Sequence, residues 1–151
     1  MKGHHMSIRT GDIHRAIAFY KTLTFDVIER FTTGYTLGCW LEGPAGRLEL
    51  IQIPNPNPPA DAFGDEQYVG YYHLSFDVTD DLSPGQTLST WLEQWRERLK
   101  SESIILKVLL YPISQTIGNH TYDVAFAADA DGLPLEILHN LGPISSSASE
   151  N

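Results

Sequence analysis

The sequence predicts an α+β fold of two tandem βαβββ modules whose strands form a curved mixed sheet around a cleft. Three observations predict it. The hydrophobic pattern switches between period two and period 3.6 in the same order in both halves. Each half opens on a His-x-Ser strand, His5-Met6-Ser7 and His73-Leu74-Ser75. Each closes on nearly the same tetrapeptide, Leu48-Glu49-Leu50-Ile51 and Leu135-Glu136-Ile137-Leu138. Shared motifs in a shared element order mark an internal duplication.

The elements follow in turn. Residues 4–10 alternate as a strand, with His5, Ser7 and Arg9 on one face and Met6 and Ile8 on the other. Gly11 ends it, and Asp12 is a good helix N-cap. Ile13, Ala16, Ile17 and Tyr20 then keep the spacing of an amphipathic helix over 13–22. Strand-like runs at 25–31, 35–42 and 47–53 are punctuated by Gly34 and the Gly43–Gly46 turn, completing a first module over 1–53. Residues 54–67 carry four prolines without periodicity and read as a linker. The second module, 68–141, opens with an alternating strand that puts His73, Ser75 and Asp77 on one face. After a turn at Asp80–Gly85, Leu88, Trp91, Leu92, Trp95 and Leu99 form one helical stripe, and strands follow near 104–111, 121–128 and 134–139. Residues 142–151 read as a disordered tail.

Bulk properties narrow the function. A chain of 151 residues can bury a core without staples. Acidic residues outnumber basic ones 19 to 10, for a net charge of −9, and no Lys/Arg cluster interrupts them. Such a surface is a poor partner for nucleic acid or anionic membrane. No apolar run approaches the roughly 20 residues of a membrane span, and the N-terminus has no signal-peptide core. The lone Cys39 fits a reducing cytoplasm. A cytoplasmic protein acting on a small molecule is the expectation.

The chemistry sits on strands that otherwise read as buried. Alternation sends Glu49 to the face of Ile51 and Ile53, and Glu136 to the face of Leu138. A carboxylate among apolar residues needs a partner, because burying a bare charge is expensive. His5 and His73 occupy matching positions of the repeat, each matched by a glutamate. If the halves curve around a common cleft, two imidazoles and two carboxylates converge as a first shell for one divalent ion, such as Zn, Ni, Co, Fe or Mn. Arg9, two strand steps from His5, is a cation suited to an anionic substrate group. His4, pointing away from His5 in a strand, His14, His120 and His139 carry no expected role.

These residues resemble a known family. The run from His5 to Asp12, followed by Ala16-Ile17-Ala18-Phe19-Tyr20, looks like the opening of vicinal oxygen chelate proteins, glyoxalase I in particular. The segment Asp129-Ala130-Asp131-Gly132-Leu133-Pro134-Leu135-Glu136 resembles the D-P-D-G-x-x-[IL]-E that closes the family's second module. The resemblance runs over residues 5–140. It implies the vicinal oxygen chelate fold, with His5, Glu49, His73 and Glu136 as the four metal ligands and Arg9 as a contact for a glutathione carboxylate. It departs from glyoxalase I at Leu23-Thr24-Phe25, at Ile53, where that branch offers glutathione an asparagine, and in the apolar run Ile104–Ile117.

The resemblance implies a metal-dependent lyase or isomerase. Its substrate is the hemithioacetal of a 2-oxoaldehyde, with glutathione as cosubstrate, and the reaction is metal-stabilised enediolate proton transfer. Glu136 is the main base, Glu49 the second, and His5 and His73 are pure ligands. A second reading is another enzyme of the superfamily, an epimerase or extradiol-type dioxygenase. A third is a non-catalytic binder of the bleomycin-resistance type, suggested by Tyr68, Tyr71 and Tyr72. A homodimer is expected, and the sequence leaves open whether the site is intrachain or shared between chains.

Overall fold

Alternating burial builds the first strand, β1 (Met6–Thr10), in which Ile8 and Thr10 turn inward while Ser7 and Arg9 face out. Asp12 caps the helix α1 (Ile13–Lys21) by accepting from the backbone N–H groups of His14 and Arg15. The Gln52 carboxamide accepts from the Ile13 N–H, so a further orphan donor of the first turn is satisfied by the end of the first module's last strand. A meander follows: β2 (Asp26–Thr33), β3 (Thr36–Gly43) and β4 (Gly46–Gln52). The second half repeats this order with β5 (Leu74–Asp77), α2 (Leu88–Ser101), β6 (Lys107–Ile117), β7 (His120–Ala128) and β8 (Pro134–Pro143). This structure is a computed structural model and describes residues 1–61 and 63–145.

Two four-stranded sheets result, ordered β1-β4-β3-β2 and β5-β8-β7-β6. In each, the first strand pairs parallel with the last and the other pairings are antiparallel. The two sheets therefore have one topology, that of the expected α+β fold of tandem βαβββ modules.

The modules share one core. Phe19 of α1 meets Trp95 of α2 edge to face, with ring centroids 5.5 Å apart, and the Trp95 indole donates to Thr22 Oγ1 at 2.8 Å. The stripe Leu88, Trp91, Leu92, Trp95 and Leu99 is buried throughout. The modules also interlock through polar groups. Tyr20 Oη donates to Asp129 Oδ2, and the Gly11 N–H donates to Asp131 Oδ1, both at 2.8 Å. The turn that presents these two aspartates passes through Gly132 at φ +101°, a backbone angle that favours glycine.

Several element bounds differ from the sequence reading, in three strands by more than two residues. β5 begins at Leu74 because β8 offers it partners only along Leu135–Leu138. β6 continues past Pro112 to Ile117, which an edge strand tolerates because its outer N–H groups do not pair. β8 runs to Pro143, paired with His120 at the far end of β7. The tail expected beyond it lies, from residue 146 on, outside the described residues.

Candidate metal centre

Strand register sets the site. Glu49 of β4 lies between Ser7 of β1 and Trp40 of β3, so the three side chains form one row across the sheet. His5 immediately precedes β1, and its Nε2 is 3.4 Å from Glu49 Oε1. The second module repeats the row, with Glu136 of β8 between Ser75 of β5 and Phe126 of β7. His73 immediately precedes β5, and its Nε2 is 3.3 Å from Glu136 Oε2. The His-x-Ser motif thus places each imidazole and each hydroxyl against the same carboxylate.

Hydrogen bonds orient both glutamates. Ser7 Oγ donates to Glu49 Oε1 at 2.8 Å, and Ser75 Oγ donates to Glu136 Oε2 at 2.6 Å. Trp40 Nε1 donates to Glu49 Oε2 at 2.8 Å. Burial pushes the Glu49 carboxyl upward. The bonds from Trp40 and Ser7, with the nearby His5 and His4, outweigh it and hold the group below its ordinary 4.5. Glu49 is therefore a carboxylate, ready to face a cation. Both glutamate side chains are largely covered, 17% and 15% exposed.

The donor set fits a divalent ion. Two ligands of one ion with bonds of about 2.05 Å at the tetrahedral angle lie about 3.3 Å apart. Each His–Glu pair has that spacing, and imidazole with carboxylate is the chemistry such ions take. Among the described residues, however, no three His, Cys, Asp or Glu side chains gather closely enough to hold an ion. One chain brings His5 to Glu49 and His73 to Glu136 and does not bring the two pairs together.

Arg9 lies exposed on the face of Ser7, opposite Ile51 of β4. His4 departs from the sequence reading. Its Nδ1 lies 2.7 Å from His5 Nδ1, because both precede the first paired residue of β1 and strand alternation does not yet separate them. The Trp40 contact is a further feature that the sequence reading missed. The signal that could have found it is the cross-strand spacing around the Gly43–Gly46 turn, which sets Trp40 opposite Glu49. An aromatic group also lines the second pair: Tyr72 stacks on Phe126, Phe63 meets Phe126 edge to face, and Tyr72 sits against His73.

The sequence profile of the Glyoxalase/Bleomycin resistance protein/Dioxygenase superfamily matches residues 2–137. Among solved structures, a glyoxalase family protein from Bacillus cereus superposes with a TM-score of 0.63 at 17% identity, covering 94% of this chain and 95% of that one. A glyoxalase family protein from Enterococcus faecalis gives 0.61 at 20% identity, covering 91% and 97%. The trypanothione-dependent glyoxalase I of Leishmania major gives 0.58 at 21% identity, covering 92% and 86%. At these identities the structural likeness is one of fold. No curated protein matches the chain in sequence.

Proposed function

The chain belongs to the Glyoxalase/Bleomycin resistance protein/Dioxygenase superfamily, and on that premise we propose that it is a metal-dependent lyase or isomerase of glyoxalase I type. The observation that carries this reading is the repeated row, Ser7–Glu49 with His5 and Ser75–Glu136 with His73. Because the two pairs stay apart within one chain, the full set of four ligands is built between two copies of a homodimer. His5 and Glu49 of one protomer then face His73 and Glu136 of its partner.

A bound divalent ion supplies Lewis-acid polarisation of adjacent substrate oxygens. The chain's own groups do the rest. His5 and His73 would hold the ion through their imidazole nitrogens. Glu136 takes the proton from one substrate carbon and returns it to the next, and Glu49 is the alternative base. Arg9 offers an anionic substrate group a bidentate partner on the same sheet face. The substrate is a hemithioacetal of a 2-oxoaldehyde, with glutathione as thiol. The aromatic group at Phe63, Tyr72 and Phe126 gives its carbon chain an apolar wall beside Glu136.

Metal analysis of protein purified without added metal, followed by an assay of lactoylglutathione formation from methylglyoxal and glutathione, tests the reading. About one divalent ion per chain and turnover are expected. Oxygen uptake with a catechol would instead mark a dioxygenase, and a metal-free protein without turnover a binding protein of the bleomycin-resistance kind.

A further inference from the structure

Resting on the proposed metal chemistry, we propose that Trp40 is a positioning residue that pins Glu49 in place and so leaves proton transfer to Glu136. The two carboxylates occupy equivalent places in the repeat, yet they are held differently. Both oxygens of Glu49 are engaged, Oε1 by Ser7 and Oε2 by Trp40 Nε1. In the second module the residue opposite Glu136 is Phe126, whose side chain has no N–H to give. Ser75 and His73 both address Oε2 of Glu136, and among the described residues Oε1 accepts no hydrogen bond.

The indole is itself clamped. The Arg47 guanidinium lies over its ring, 5.6 Å from the centroid, and Phe31 and His4 meet it edge to face at 5.2 and 5.0 Å. Arg47 is fixed in turn by Glu42 Oε1 at 3.2 Å and by His4 Nε2 at 3.0 Å. Gly38, two residues before Trp40 on the same strand face, leaves room for Phe31, since a Cβ there would collide with that ring. Five residues thus serve to aim one N–H at Glu49.

The consequence is a division of labour between two like groups. A carboxylate that shuttles a proton must turn between metal and substrate, and it does so more readily with one oxygen free. Glu136 has that freedom. Glu49, bonded at both oxygens, is a fixed ligand. The asymmetry lies in a single substitution within the repeat, tryptophan against phenylalanine.

Trp40→Phe tests this, because it keeps the ring among Phe31, Arg47 and His4 while removing the N–H. Two readouts are taken with zinc or cobalt as the probe ion. By calorimetry, Trp40→Phe should weaken ion binding about 10–100-fold, the usual effect of losing an outer-shell partner. In turnover, the loss caused by Glu136→Gln should shrink at least about tenfold in the Trp40→Phe background, because a released Glu49 takes over as base. A simple packing defect would lower both activities without changing that ratio. Provided the wild-type protein binds the ion, either an unchanged affinity in Trp40→Phe or an unchanged Glu136→Gln loss in that background overturns the role of Trp40 alone. Failure of the wild-type protein to bind either ion overturns the metal reading and this role with it.

Discussion

Tyr20 and Asp129 stand 109 positions apart in the chain, and the phenol of the first donates to the carboxylate of the second at 2.8 Å. The bond is buried and joins α1 of one module to the β7–β8 turn of the other. Tyr20→Phe removes the donor and leaves the shape of the ring. It should cost about 1–3 kcal/mol, the usual penalty for a buried acceptor deprived of its partner. Urea unfolding of the two proteins checks it, and equal midpoints would show that the bond adds nothing.

Asp129 also makes stability depend on pH. Burial raises its pKa above the ordinary 3.8, outweighing the hydrogen bonds from Tyr20, Leu133 and Asp131 that pull it down. The native chain therefore binds this proton more tightly than the unfolded chain. The resulting stabilisation is fully present below the unfolded value and is lost as pH rises through the raised native one. Relative to Asp129→Asn, the wild-type protein should lose stability as pH climbs upward from the ordinary carboxylate range. Urea midpoints of both proteins across that range read the difference directly, and a wild-type stability that rose with pH relative to the variant would reverse the assignment.

Trp95 is fully buried where the two helices meet. Trp95→Ala removes its contact with Phe19 and its bond to Thr22 at once. A loss of about 3–5 kcal/mol is expected, as for other large aromatic truncations. Because the residue belongs to the core of both modules, unfolding should stay a single transition in the wild type. The variant should broaden it toward two. Calorimetry separates the two outcomes.

The metal centre proposed above, shared between two chains, would have its own signature. Alone, His5→Ala and His73→Ala should each lose most bound ion, while His14→Ala keeps it. Refolded together in equal amounts, they should recover about a quarter of the wild-type ion content, since half of the dimers are mixed and each carries one intact site of two. A site built within one chain recovers nothing on mixing.

The two glutamates should differ in kind. Glu136→Gln keeps a ligand oxygen but loses the proton acceptor, so turnover should fall by about 10²–10⁴ with appreciable ion retained. Glu49→Gln should be milder. Ion content is measured first, so that lost metal is not mistaken for lost chemistry. Equal and small losses in both variants would remove either carboxylate as the essential base.

Much of this was legible in the chain. Period-two alternation set Ser7 and Arg9 on one face of β1, and the helical stripe of Trp91 and Trp95 marked the buried side of α2. The repeated His-x-Ser and Leu-Glu motifs placed each imidazole near its glutamate, because a strand pairing carries sequence order directly into distance. The separation of the two pairs was not legible. It depends on how α1 and α2 pack and on the Tyr20–Asp129 and Gly11–Asp131 links, contacts more than 100 residues apart with no local signal. Trp40 escaped for a related reason. A tryptophan in an alternating strand looks like packing until the strand across from it is known.

The parallel closure of each module also bears on how the protein folds. Ser7 meets Glu49 across 42 positions and Ser75 meets Glu136 across 61, whereas β2–β3 and β3–β4 are joined by tight turns. Local hairpins form early and long loops close late, so β1 and β5 are expected to dock onto meanders that already stand. The His–Glu pairs would then form only with that final docking. An ion held by them would then find little to grip in the folding transition state. It would slow unfolding while leaving the folding rate nearly unchanged, and its protection would be kinetic in character.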